Sequence, residues 1–152
     1  MKNRRVVFKK KPIPIPAEYR PMYQIALMSL VLKYCCRGEI SKLMKFHLFS
    51  WSLYSEENMK LLLAIVEKKF KNPLPHWSID PALNRALDYA IADGFFERIP
   101  PGKYKLLPKG QALVQKIESD DSLFIEEKSF LKKFGKSKLN DVEIERLIAR
   151  NL

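Results

Sequence analysis

The stretch ADGFFERIPPGKYKLLPKG, residues 92–110, constrains the fold more than any other part of the chain. Gly94 suits a helix stop, because glycine enters left-handed geometry without steric cost. Residues 95–99 read as a strand, Pro100-Pro101-Gly102 as a turn, and 103–107 as a second strand. In that second strand Tyr104 and Leu106 fall on one face, Lys103 and Lys105 on the other. Pro108 then opens a helix over about 109–118, with Ala112, Leu113 and Ile117 turned inward. The pattern predicts a β-hairpin held between two helices.

Upstream of the hairpin the chain reads as four helices. The first spans about 21–36, and Ile25, Ala26, Leu27, Met28, Leu30, Val31 and Leu32 leave it almost no polar face. Such a helix is central to a core or covered by a partner. The second is expected over 39–53, from the spacing of Ile40, Leu43, Met44, Leu48 and Trp51. The third follows Ser55 as N-cap, with Glu56 and Glu57 in its first turn, and ends near Phe70. The fourth opens at Asp80-Pro81 and buries Leu83, Leu87, Ala90 and Ile91. Downstream, two helices are expected over about 122–134 and 141–151, the latter opened by the capping-box pair Asn140 and Glu143. Residues 1–18 form a basic arm in which Pro12-Ile13-Pro14-Ile15-Pro16 excludes helix.

At 152 residues and 47% hydrophobic, the chain is long and apolar enough for one domain with appendages. Five glycines are too few for a turn-rich all-β fold. The net charge of +11 favours nucleic acid, an anionic membrane or an acidic partner. The longest apolar run, about 25–36, is broken by Ser29, Lys33 and Tyr34, so no membrane partner is expected. Cys35 and Cys36 are adjacent, which strains any bond between them. They read as free thiols of a cytoplasmic protein, since an oxidising compartment favours well-spaced pairs. The N-terminal residues offer no apolar run of signal-peptide length.

Gly94-Phe95-Phe96, a turn, then Tyr104-Lys105-Leu106-Leu107-Pro108-Lys109-Gly110 resembles the wing of winged-helix proteins. The resemblance implies a mainly α fold: a winged-helix domain over 19–118 with a two-stranded hairpin wing, preceded by the arm and followed by C-terminal helices over 119–152. In a DNA-reading member the helix before the wing enters the major groove. Here that helix carries Asp80, Asp88 and Asp93 against Arg85, a net charge of −2. Phosphate contact dominates DNA affinity, and a negative face opposes it. Asn84 and Arg85 have the chemistry to read bases, but the reading to prefer is a solvated helix face. Lys103, Lys105 and Lys109 on the wing, and Lys68, Lys69 and Lys71 after the third helix, are the candidate backbone contacts, with a solvated surface as the alternative. The cluster Lys132, Lys133, Lys136 and Lys138 is a further basic ridge.

No phosphate loop, paired-carboxylate site or zinc spacing stands out; Cys35, Cys36, His47 and His76 fit no usual ligand pattern. No catalysis, metal or cofactor is expected, and the two cysteines read as small core fillers. Among the aromatics, Phe46, Phe49, Trp51 and Tyr54 suit a core, and some others suit partner anchoring. Ile13, Ile15, Tyr19, Tyr23, Tyr89, Phe96 and Tyr104 are the candidate partner-binding residues.

Tyr19-Arg20-Pro21-Met22-Tyr23-Gln24-Ile25-Ala26-Leu27, followed by Lys45-Phe46-His47-Leu48-Phe49-Ser50-Trp51, is similar to the middle components of ABC three-component defence systems, including the small subunit of Lamassu-type complexes. The resemblance covers about 19–118. It implies an adaptor that links an SMC- or Rad50-like ATPase to an effector nuclease in bacterial anti-phage or anti-plasmid defence. On that reading the apolar first helix and the Pro-Ile arm meet the partners, and basic patches hold double-stranded DNA without sequence preference. The alternative is a sequence-specific winged-helix transcription regulator.

Overall fold

The computed structural model describes residues 20–68 and 79–149. Its centre is α1 (Arg20–Cys35), around which α2 (Leu43–Ser52), α4 (Pro81–Ala92), α5 (Pro108–Ser119) and α6 (Ile125–Phe134) pack. Every residue from Ile25 to Leu32 is buried. Ser29, the polar residue within that run, donates its hydroxyl back to the Ile25 carbonyl at 2.7 Å, so its burial leaves no orphaned donor. The absence of a polar face on this helix is therefore met within the chain. This corrects the expectation that α1 offers its apolar surface to a partner: the fold's own helices have already covered it.

The second correction concerns residues 39–42. The helical spacing there places a helix start at 39, but the chain forms a 3-10 turn (Arg37–Glu39) and a strand, β1 (Ile40–Lys42), before α2 begins. Gly38 at φ 67° and Glu39 at φ 59° are both left-handed and swing the chain out of helix geometry. β1 then pairs antiparallel with β3 (Lys103–Leu106), which also pairs with β2 (Phe96–Ile99). The hairpin expected from sequence is present, but it belongs to a three-stranded sheet of order β1-β3-β2 rather than standing alone as a pair. Pairing on both sides satisfies the backbone groups of β3, which an isolated hairpin would leave unpaired along one edge.

Three helix starts follow local chemistry closely. Ser55 accepts the Asn58 amide at 3.1 Å to open α3 (Glu56–Glu67), and Asp80 accepts the Ala82 amide at 2.9 Å to open α4. Asn140 and Glu143 exchange both capping-box bonds, at 2.8 and 2.9 Å, to open α7 (Asp141–Ala149). The segment 119–149 contributes Phe124, Phe130, Leu131, Phe134, Leu139, Ile144 and Leu147 to the same core as the preceding elements. Phe49 from α2 meets the rings of Phe130 and Phe134 at centroid separations of 6.4 and 5.1 Å.

The inner face of the sheet is aromatic. Phe46 of α2 stacks on Phe96 at 6.1 Å and meets Tyr104 edge-on at 5.6 Å. Ser41, opposite Tyr104 in register, is buried beneath them. The outer face carries Lys42, Lys103, Lys105 and Glu97. Among the described residues, no helix is long and apolar enough to cross a membrane.

Candidate partner and nucleic-acid interface

The helix in front of the hairpin, α4, is fixed at three points. At its start the Asp80 backbone amide donates to His47 Nδ1 at 3.3 Å. That leaves the proton on Nε2, which faces Asn84 Oδ1 at 3.0 Å. Burial lowers the pKa of His47 from its ordinary value, against weaker opposing effects of the Asn84 bond and the Asp80 charge. A neutral imidazole is what this geometry requires. At mid-helix, Asp88 pairs with Arg98 of β2 at 2.9 Å. At the end, Gly94 turns left-handed at φ 81°, and Lys109 Nζ donates to the Asp93 carbonyl at 2.8 Å while lying 4.6 Å over the Phe95 ring.

These contacts decide what α4 shows to solvent. Asn84 is engaged by His47, and Asp88 by Arg98. Arg85 and Tyr89, one helical turn apart, remain outward, with Tyr89 54% exposed. Ile79, just ahead of the helix, is 49% exposed. Asn84, Asp88 and Asp93 are exposed as well, so the surface is a mixed patch on which the one cation and the aromatic ring stand among polar and acidic side chains.

The hairpin lysines divide. Lys105 is exposed on the outer sheet face and lies in register with Glu97 and Ile40; Lys103 is half-buried beside Lys42 and Ile99. Lys42 is itself paired with Glu145 of α7 at 3.6 Å. Lys109, as above, serves as the cap of α4. Lys68 is exposed at the end of α3; Lys69 and Lys71 lie outside the described residues.

The partner-binding candidates divide too. Phe96 and Tyr104 are buried against Phe46, so their ring faces are consumed by the core and are not surface anchors. Tyr23 is half-buried, its ring 5.6 Å from that of Phe124, and burial followed by the Glu127 charge pushes its hydroxyl up to about 12. Tyr89 alone of the described candidates is outward. Ile13, Ile15 and Tyr19 lie outside the described residues. Of the aromatics expected inside, Phe46 and Phe49 are buried, Trp51 is half-buried, and Tyr54 stands 86% exposed between α2 and α3.

Cys35 and Cys36 are buried free thiols. The Cys35 thiol donates to the Leu131 carbonyl at 3.4 Å, and burial pushes its pKa up to about 12. Cys36 is also raised, again chiefly by burial. Among the described residues no group of three or more His, Cys, Asp or Glu could hold a metal ion. Sequence reasoning missed the link from His47 to α4, because residues 47, 80 and 84 are distant in the chain and no motif joins them. The chain matches no protein-family model, no curated protein and no solved structure.

Proposed function

We propose that the chain is a non-catalytic winged-helix adaptor. It joins an SMC- or Rad50-like ATPase to an effector nuclease in a bacterial defence complex, in the cytoplasm. The helix that feeds a hairpin and a closing helix supports the winged-helix reading, as does the short strand laid beside that hairpin. The single observation that carries the adaptor role is the state of α4. Asn84 and Asp88 each give one side-chain oxygen to a partner within the chain, the Asp93 backbone carbonyl goes to Lys109, and the exposed charges of the helix are acidic on balance. A helix that reads bases needs unengaged donors and acceptors and a positive field. A helix that docks on protein needs an aromatic anchor with a polar rim, and Tyr89 beside Arg85 and Ile79 has that composition.

The test is co-purification of the tagged chain from its native host, read by mass spectrometry, with Tyr89→Ala in parallel. The expected result is an ATPase of the SMC class recovered with the wild type and lost or at least tenfold reduced with Tyr89→Ala. Recovery of no ATPase, or equal recovery with the variant, overturns the reading. Arg85 is outward and belongs to no ion pair among the described residues, which keeps the regulator as the second reading. It demands a defined footprint on one DNA sequence that disappears with Arg85→Ala.

A further inference from the structure

We infer that the face formed by Lys132, Lys133, Lys136 and Lys138 is a binding surface for the phosphate backbone of duplex nucleic acid, without sequence preference. The inference does not rest on the adaptor reading, since it concerns a surface separate from α4.

Lys132 and Lys133 occupy the last turn of α6, and Lys136 and Lys138 follow in the linker to α7; all four are exposed. None belongs to an ion pair among the described residues. The helix dipole accounts for cations in the last turn of α6. It does not account for Lys136 and Lys138, which lie beyond the Gly135 stop. Two of the neighbouring carboxylates are turned to other work. Glu118 accepts the Tyr34 hydroxyl, and Glu143 accepts the Asn140 amide. Lys132 is also held: its Nζ lies 5.5 Å over the Tyr34 ring. A braced cation loses less side-chain entropy on meeting an anion.

The chemistry of the face selects the partner class. Over residues 128–138 the exposed side chains are Ser129, Lys132, Lys133, Lys136, Ser137 and Lys138. All donate and none is apolar; Ile125, one turn before Ser129, is the single exposed apolar side chain on α6, short of the apolar face that interfacial binders require. Single-strand binders present an open aromatic platform. Here the Tyr34 hydroxyl is taken by Glu118 and its ring lies beneath Lys132. There is also no Asn, Gln or Arg on this stretch to read a base edge. What remains is a set of ammonium and hydroxyl donors, the chemistry that tracks a duplex backbone.

The test is fluorescence anisotropy of the full chain with duplexes of unrelated sequence across a salt series. Each lysine on a phosphate contributes about −0.9 to the slope of log K against log salt. Replacing all four lysines by Gln is expected to flatten the slope by about 3.6 and to weaken binding by roughly three orders of magnitude at 0.1 M salt. The fourfold Lys→Arg variant should bind as the wild type does, which separates lost charge from lost packing. Equal circular dichroism melts would show that the Gln variant folds. An unchanged slope in the Gln variant overturns the inference, as would loss of binding in the Arg variant. So would equal, lysine-dependent affinity for poly-glutamate or for anionic vesicles. Tyr89→Ala should leave the slope unchanged, so failure here and failure of the adaptor reading remain distinct.

Discussion

Gly110 offers the sharpest check on how the hairpin joins the helices. It lies buried in the first turn of α5 at a backbone angle any residue can adopt. A Cβ added there would come within 2.4 Å of Leu106 Cδ1 and 2.7 Å of the Phe95 carbonyl oxygen. Leu106 is itself buried and has little room to retreat. The Phe95 oxygen is fixed by the Leu107 amide at 2.9 Å, a bond that closes the base of the hairpin. Overpacking of this kind costs about 1–3 kcal/mol. Loosening the hydrogen bond adds about 1 kcal/mol. The better helix propensity of alanine returns at most about 1 kcal/mol. Gly110→Ala should therefore destabilise by about 2 kcal/mol, a fall in Tm of roughly 4–8 °C for a chain of this size. Urea and thermal melts followed by circular dichroism measure it. Gly94→Ala is the control. Its φ of 81° makes alanine strained, yet nothing lies within 4 Å of the added Cβ, so about 1–2 kcal/mol is lost to local strain alone. Combining Gly110→Ala with Leu106→Ala should cost less than the sum of the two, whereas Gly94→Ala with Leu106→Ala should add. A Gly110→Ala protein as stable as the wild type would refute the close-approach reasoning and leave propensity as the winning effect.

Three other outcomes are expected. His47 holds its proton less tightly folded than unfolded, so its contribution to stability is complete above pH 6.5 and declines below it. The decline is about 1.4 kcal/mol per pH unit until the native pKa is reached, and His47→Gln should flatten that limb in urea melts collected from pH 7 downward. Lys128 is nearly buried and donates to the carbonyls of Ile117 and Asp120 at 2.9 and 3.0 Å, closing the end of α5. Lys128→Met keeps the stem but orphans both acceptors, and a loss of about 2 kcal/mol is expected in the same melts. Cys35 and Cys36 should resist iodoacetamide at pH 8 in the native protein and react once denatured, because burial removes both access and thiolate; mass spectrometry of the alkylated chain reads this directly.

Where local chemistry decides an element, the sequence was legible. Ser55, Asp80 and Asn140 each cap the helix that their side chains announce, and Gly94 turns left-handed where the helix must stop. β1 was illegible for a physical reason. Ile40, Leu43 and Met44 fit helical spacing, and three residues are too few for alternation to show. Only the open edge of β3, more than sixty positions away, draws this segment into extended geometry. Gly110 has an ordinary φ, and its necessity lies in the approach of Phe95 and Leu106. That requirement is tertiary and leaves no local mark. Phe96 and Tyr104 were misplaced for a similar reason: aromatics at alternating strand positions look the same whether the covering element is a partner or the chain's own Phe46.

The lysines carry the same lesson into function. Lys45 donates to the Cys35 carbonyl at the end of α1, Lys128 closes α5, and Lys109 closes α4. Each sits where a helix presents unsatisfied carbonyls and the negative end of its dipole. These three cations are parts of the fold, and in the +11 total they cannot be told from a ligand-binding charge. Lys132, Lys133, Lys136 and Lys138 are exposed and, unlike those three, donate to no helix-end carbonyl among the described residues. The two sets must therefore respond oppositely to the same chemical change. Lys→Met at 45 or 128 should lower the melting point and leave the salt slope of any surviving DNA binding intact. Lys→Gln at 132, 133, 136 and 138 should flatten that slope at nearly constant melting point. If the basic excess acted only as a diffuse field, lysines equally placed in charge but different in burial would not separate in this way.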